Sequence, residues 1–150
     1  IPYLMEKYNM TAEDTIAFLN QKCGMLGISG VGSDFRDLWA ASDSGNKMAR
    51  LALHMFNYRV KKYIGAYAAA LNGVDVIAFA GGIGENDQRV RQEILEGLGY
   101  LGIEFDAERN HIQGKEAVLS KPDSKVTVIV VPTNEELMIA RDTYEICCGS

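Results

Sequence analysis

Three features of the sequence predict an α/β fold, a mixed sheet flanked by helices. Residues 74–80 (Val-Asp-Val-Ile-Ala-Phe-Ala) and 126–131 (Val-Thr-Val-Ile-Val-Val) are short runs rich in β-branched and aromatic residues, of the length of buried strands. Each gives way within a few residues to a helix start, at Asn86-Asp87 after the first and at Thr133 after the second. Much of the remaining chain carries apolar residues three or four apart, as helices that bury one face do. Strands that alternate with helices in this way form sheets covered by helices.

Taken in order, residues 3–10 read as a short helix. Thr11 caps a second, with Asp14 three residues later as an approximate capping box. Its apolar positions Ile16, Phe18 and Leu19 lead to a stop at Gly24. Residues 24–34 hold four glycines in nine positions and read as a loop of special backbone geometry, after which Leu38-Trp39 opens a short helix. A long helix is expected over 44–71, roughly 40 Å at 1.5 Å per residue. Its apolar positions, among them Met48, Leu51, Met55, Phe56, Tyr63 and Tyr67, should be core, and Gly73 should close it. Gly65 inside it suggests the close approach of another backbone, and His54 reads as a surface or boundary residue.

After the first strand, residues 81–84 place three glycines in four positions. A helix follows with Val90, Ile94, Leu98 and Leu101 at helical spacing. Gly99 and Gly102 break that pattern, residues 103–105 and 117–119 read as short strands, and 106–110 and Pro122-Asp123-Ser124 as turns. His111 sits in the polar connection without a nameable partner. Pro132 stops the second strand. Thr133 then caps the last helix with Glu136 as its capping-box partner, and Leu137, Ala140, Tyr144 and Cys147 mark one face.

Composition bounds the function. One hundred and fifty residues suit one domain or one lobe of a larger protein. The net charge of −5 argues against a general nucleic-acid binder, which carries a basic stripe. Cys23, Cys147 and Cys148, odd in number and without close His partners, suggest neither a disulfide scaffold nor a zinc site, which points to a reducing cytosol. No apolar run approaches a membrane span and no signal peptide is visible. The chain opens on Ile1-Pro2 rather than Met, as if cut from something longer.

Three places could carry chemistry. Strand, glycine turn and helix start is the layout that brings bare backbone N–H groups to a phosphate or sugar. The alternative is a tight turn without a ligand: Asp87 stands where a GxGxxG motif has its third glycine, and no Gly-Lys-Ser/Thr follows. Glu135 lies just beyond the C-terminal end of the second strand, the edge where open α/β sheets bind ligands. It either complements the helix dipole or offers a carboxylate to Mg²⁺. Asp34 and Arg36, whose side chains leave the segment on the same side if it is extended, either form a surface ion pair or contact a nucleotide.

Three separated segments then resemble the acetate kinase family. Gly27-Ile28-Ser29-Gly30-Val31 leading into Ser33-Asp34-Phe35-Arg36-Asp37 is similar to the family's loop before its Asp-Phe-Arg. Residues Phe79-Ala80-Gly81-Gly82-Ile83-Gly84-Glu85-Asn86 resemble its adenosine-binding turn, and Val131-Pro132-Thr133-Asn134-Glu135-Glu136-Leu137 its C-terminal metal-site signature. The resemblance covers nearly the whole chain in order. It implies reversible phosphoryl transfer between ATP and acetate, in a dimeric, cytoplasmic, two-domain enzyme of the sugar-kinase, Hsp70 and actin superfamily. The fold it implies is an incomplete ribonuclease-H-like domain, residues 1–150 being the C-terminal lobe, with three further strands of its sheet upstream. It implies ATP/ADP contacts at Asp34, Phe35, Arg36, Gly82, Ile83, Gly84, Glu85 and Asn86, and Mg²⁺ at Glu135. The catalytic Arg, His and Asp residues on the substrate side, and the loop for the outer phosphates, are expected upstream, so no catalytic residue is expected here and the lobe alone should be inactive. Alternatives are a propionate kinase of the same family, a non-catalytic nucleotide-binding module, and a nicotinamide-dependent dehydrogenase with Glu104 as ribose ligand, against which the missing glycine tells.

Overall fold

A computed structural model describes residues 1–148. The chain forms two compact units, Ile1–Ile64 and Gly65–Ser150. The first is helical: α1 (Pro2–Tyr8), α2 (Ala12–Lys22), α3 (Met25–Ser29), α4 (Phe35–Asp43) and the first part of α5 (Lys47–Ala70). The second holds the end of α5, β1 (Val76–Phe79), α6 (Gly81–Asn86), α7 (Gln88–Leu95), β2 (Ala117–Val118), β3 (Thr127–Val130) and α8 (Glu135–Cys148).

Side-chain caps define most of the helix starts. Thr11 Oγ1 accepts the Asp14 N–H at 3.1 Å and donates to Asp14 Oδ2 at 2.7 Å, a variant of the expected box in which the acid binds the capping hydroxyl. The segment read as a glycine loop contains α3. Gly24 and Gly30 turn the chain at φ of +66° and +67°, and the five residues between them are helical. Asp34 has extended dihedrals but caps α4, which therefore begins at Phe35, so Arg36 is helical and the two do not share an extended segment. The long helix starts at Lys47, because Asn46 Oδ1 accepts the Met48 and Ala49 N–H groups at 2.9 and 3.0 Å.

In α5 the small residues Ala49, Ala52 and Ala68, with Leu53 and Asn57, are buried. Met48, Leu51, Met55, Tyr63 and Tyr67, expected in the core, are exposed. So are Ile16 and Phe18 of α2. Helical spacing identifies an apolar stripe, but the stripe's partner need not belong to the same stretch of chain. His54 is exposed, as expected. What Gly65 meets is a side chain, the Tyr100 hydroxyl, 3.4 Å from where a Cβ would stand.

The sheet order is β1-β3-β2. β1 pairs parallel with β3, Val76 opposite Thr127 and Phe79 opposite Val130. β2 pairs antiparallel with β3. The sheet is thus mixed and flanked by helices, as predicted. β3 is its centre, with Val128 and Val130, and Val126 just before the strand, at 1% exposure or less. β1 lies at an edge of the described sheet and only Phe79 is buried, so the expectation of a buried first strand fails at Val76 and Ala78. Residues 103–105 contribute one isolated bridge, Phe105 to Ser120, rather than a strand. The buried apolar residues of this unit include Val90, Ile94, Leu95 and Leu98 from α7 and the turn after it, together with Leu119 and the valines at 126, 128 and 130. α7 ends at Leu95, earlier than predicted, and a 3-10 turn at Gly99–Leu101 follows.

Candidate functional site

In the second unit the C-terminal ends of β1 and β3 lie side by side, and the Val131 N–H donates to Phe79 O at 2.9 Å beyond the strand pairing. The glycine turn leaves one end and the α8 start leaves the other. The turn is not an open loop: Gly-Gly-Ile-Gly-Glu-Asn winds into the short helix α6. Gly81 enters it at φ +69°, in the left-handed region. Gly84 packs on the strand it has just left, and a Cβ there would stand 3.2 Å from the Phe79 carbonyl carbon. Gly84→Ala should therefore destabilise the protein by roughly 1–3 kcal/mol, read as a lowered urea midpoint. Gly82 and Asn86 are exposed, with open space where a Gly82 Cβ would be, and the Asn86 side-chain amide donates to Gly82 O at 2.9 Å.

The joint between the two strand ends is Glu85. Its Oε1 accepts the Gly81 N–H at 2.9 Å, the Thr133 N–H at 2.7 Å and the Thr133 hydroxyl at 2.8 Å. The bonds from Thr133, with that from Gly81, hold the Glu85 carboxyl below its ordinary value, against the smaller opposing effect of burial. Thr133 is thereby diverted from the capping role expected of it. Asn134 takes that role, its Oδ1 accepting the Leu137 N–H at 3.1 Å. Glu136 accordingly has no capping-box partner in Thr133. Glu135 stands at the first position of α8, as expected, and is exposed. No residue of α8 is buried, so Leu137 and Tyr144 form an exposed face rather than a packed one.

Arg91 supports the turn from beneath, a role the sequence reading missed. It is fully buried, and its guanidinium donates to Gly84 O at 2.8 Å, Asn110 Oδ1 at 2.8 Å, Asn110 O at 3.0 Å and Ile112 O at 2.8 Å. Burial lowers its pKa from the ordinary value and the Asp87 charge opposes this. The signal was present in the spacing: Arg91 shares the apolar stripe of Ile94, Leu95 and Leu98, where a charged residue needs a buried polar partner. His111 also has a partner, Gln88 Oε1, at 2.7 Å from Nδ1.

In the first unit Asp34 and Arg36 form the ion pair that was one of their two readings. Asp34 Oδ1 accepts the Arg36 N–H at 2.8 Å and its Nε–H at 3.1 Å, and Oδ2 lies 2.6 Å from Nη2. Arg36 holds the Asp34 carboxyl down at about 2. The Arg36 side chain is 91% exposed, so the pair leaves its guanidinium face open to a ligand. Phe35 packs edge-on against Phe56, with ring centroids 4.9 Å apart.

Among the described residues no three His, Cys, Asp or Glu side chains gather as a metal cage. A lone carboxylate at Glu135 suits the Mg²⁺ mode in which the protein supplies one or two carboxylates and the substrate phosphates and water the rest. It does not suit Ca²⁺ or Zn²⁺ held wholly by protein. No helix among the described residues is long and apolar enough to cross a membrane.

The sequence profile of the acetokinase family matches residues 1–141. The chain is 58% identical over 147 residues to the acetate kinase of Thermoanaerobacterium thermosaccharolyticum, covering 97% of this chain and 37% of that protein. The crystal structure of Porphyromonas gingivalis acetate kinase superposes with a TM-score of 0.89 at 51% identity, over 97% of this chain and 37% of that one. A propionate kinase from Francisella tularensis superposes with a TM-score of 0.81 at 33% identity, over 94% of this chain and 36% of its own. The chain thus spans little more than a third of the length of these relatives.

Proposed function

The chain belongs to the acetokinase family, and from that premise we propose that residues 1–150 are the C-terminal nucleotide-binding lobe of an ATP:acetate phosphotransferase. The reaction is reversible: the acetate carboxylate attacks the γ-phosphorus of ATP, the bond to the β-bridging oxygen breaks, and acetyl phosphate and ADP leave. The observation that carries this reading is the glycine turn and the acidic helix start at the same end of two adjacent parallel strands, joined through Glu85.

Within that reading Gly82, Ile83, Gly84 and Asn86 follow the adenine, ribose and inner phosphate through backbone and amide groups, Glu85 lying in the same turn. Asp34, Phe35 and Arg36 contribute to the adenosine side. Glu135 supplies a carboxylate for Mg²⁺, which when bound neutralises phosphate charge. Phosphoryl transfer depends on positioning and on neutralising charge at the moving group. The groups that would do so on the acetate side are not among these residues, so the lobe by itself should bind nucleotide without turnover. A cytoplasmic homodimer acting on small molecules belongs to the same reading. Acetate is preferred to propionate because Asp34-Phe35-Arg36-Asp37 fits that branch.

The test is acetate-dependent formation of acetyl phosphate, trapped as the hydroxamate, by the full-length enzyme carrying these residues. Nucleotide binding without acetate-dependent turnover in that enzyme would favour a non-catalytic module, and preference for propionate the sister activity. In the same assay Arg36→Ala should raise the KM for ATP about tenfold, the worth of one charge-assisted contact. The KM for acetate should move by less than about twofold. Equal changes in both would remove Arg36 from the adenosine side.

A further inference from the structure

We propose that Glu85 is a positioning residue: its carboxylate clasps the glycine turn to the start of the metal-side helix, and it is not itself a nucleotide ligand. The inference rests on the nucleotide-site reading above and deepens it. Oε1 takes three donors from two segments, the Gly81 N–H four residues before it and the N–H and hydroxyl of Thr133 48 residues after it. Neither N–H has a backbone acceptor among the described residues. Gly81 is the first residue of α6, where the N–H lacks an intrahelical acceptor, and Thr133 follows Pro132, where the β3 ladder has ended.

The main chain that carries this side chain is at the same time fixed from behind. The Gly114 N–H donates to Glu85 O at 3.2 Å, and Arg91 holds the preceding carbonyl of Gly84 at 2.8 Å. Glu85 is 9% exposed. A phosphate brought to this carboxylate would meet like charge, and the oxygen that faces both segments, Oε1, is already filled by its three donors. The clasp instead fixes a distance. Glu135 begins two residues beyond Thr133, so the metal-side carboxylate starts from a point tied to the turn that follows the nucleotide. Misplacement of such a group by an ångström is enough to slow a positioned reaction severely.

The inference is tested by a double-mutant cycle in the full-length enzyme, with Glu85→Gln, Thr133→Val and the pair, each checked for folding by circular dichroism. Each single variant should lower kcat and raise the Mg²⁺ concentration for half-maximal activity by about 10-fold or more, as loss of an outer-shell partner does. The pair should be no worse than Glu85→Gln alone, because both changes break one joint. Thr133→Ser, which keeps the hydroxyl, should restore activity to within about twofold of the parent. Multiplying effects, with Glu85→Gln weakening metal-free ADP binding while Thr133→Val leaves it unchanged, would overturn the clasp and make Glu85 a direct ligand. Should Glu85→Gln fail to fold, Thr133→Val against Thr133→Ser decides: identical Mg²⁺ dependence in the two overturns the clasp. Absence of adenine-nucleotide binding in the unaltered enzyme would instead sink the parent reading.

Discussion

Arg91→Leu should lower the free energy of unfolding by about 3–5 kcal/mol, the range seen when one side of a buried polar network is removed. The leucine fills part of the space but gives nothing to Gly84 O, Asn110 Oδ1, Asn110 O or Ile112 O, four acceptors that the guanidinium now satisfies. An acceptor left buried without a donor costs about 1–3 kcal/mol, and some of these carbonyls will recover part of that by reaching water. Arg91→Lys should fall between, because an ammonium is a point donor that cannot span acceptors on α6 and on the 110–112 segment together. Urea unfolding followed by far-UV circular dichroism measures both. The same loss should raise the mobility of α6, since Arg91 Nη1 holds the carbonyl of Gly84, its fourth residue. A variant as stable as the parent would mean that the network contributes geometry but no net stability, as some buried ionic groups do.

Arg91 and Thr133 show where a sequence can and cannot be read. Elements set by neighbours in the chain were legible. Asp87 caps α7 by accepting from Arg89 and Val90, Thr11 caps α2, and the glycines at 24, 73 and 102 stand where helical structure ends. The two apolar runs became the paired strands, and the polar turn at residues 122–123 formed. Thr133 failed because capping rules weigh only residues three or four away, while its actual acceptor is a carboxylate 48 positions earlier. Asp34 failed in the opposite sense: its local role as a cap was the simpler inference, and it was passed over for an extended segment. α5 failed for a third reason. Its stripe of Met, Leu and Tyr is apolar and helical as read, but periodicity states only that a face is apolar and says nothing of what covers it.

The candidate site follows the same division. The glycine turn and Glu135 were singled out in the sequence, and the parallel pairing of β1 with β3 brings the turn and the helix start to one end of the sheet. What could not be read was the joint between them. Glu85 entered the sequence reading as one residue of a ligand-binding motif, whereas its side chain faces inward to Gly81 and Thr133. A motif marks a place where chemistry happens without distinguishing the groups that touch the ligand from those that hold the others still.

Glu135 therefore bears the sharpest functional prediction. In the full-length enzyme Glu135→Ala should lower turnover on the order of 10²-fold and raise the Mg²⁺ requirement at least about tenfold, the scale expected when charge neutralisation at a transferring phosphoryl group is impaired. Stability should stay within about 0.5 kcal/mol of the parent, because the residue is exposed and its side chain makes no hydrogen bond among the described residues. Glu136→Ala is the control. It removes the same charge one residue further on, from a side chain about 100° away around the helix, so a general field effect would penalise both alike. Coordination by Glu135 requires the two to differ: the first loses activity that added Mg²⁺ partly restores, and the second keeps the parent's metal dependence. If Glu135→Ala keeps that dependence as well, the carboxylate serves only the α8 dipole and the metal must be held elsewhere.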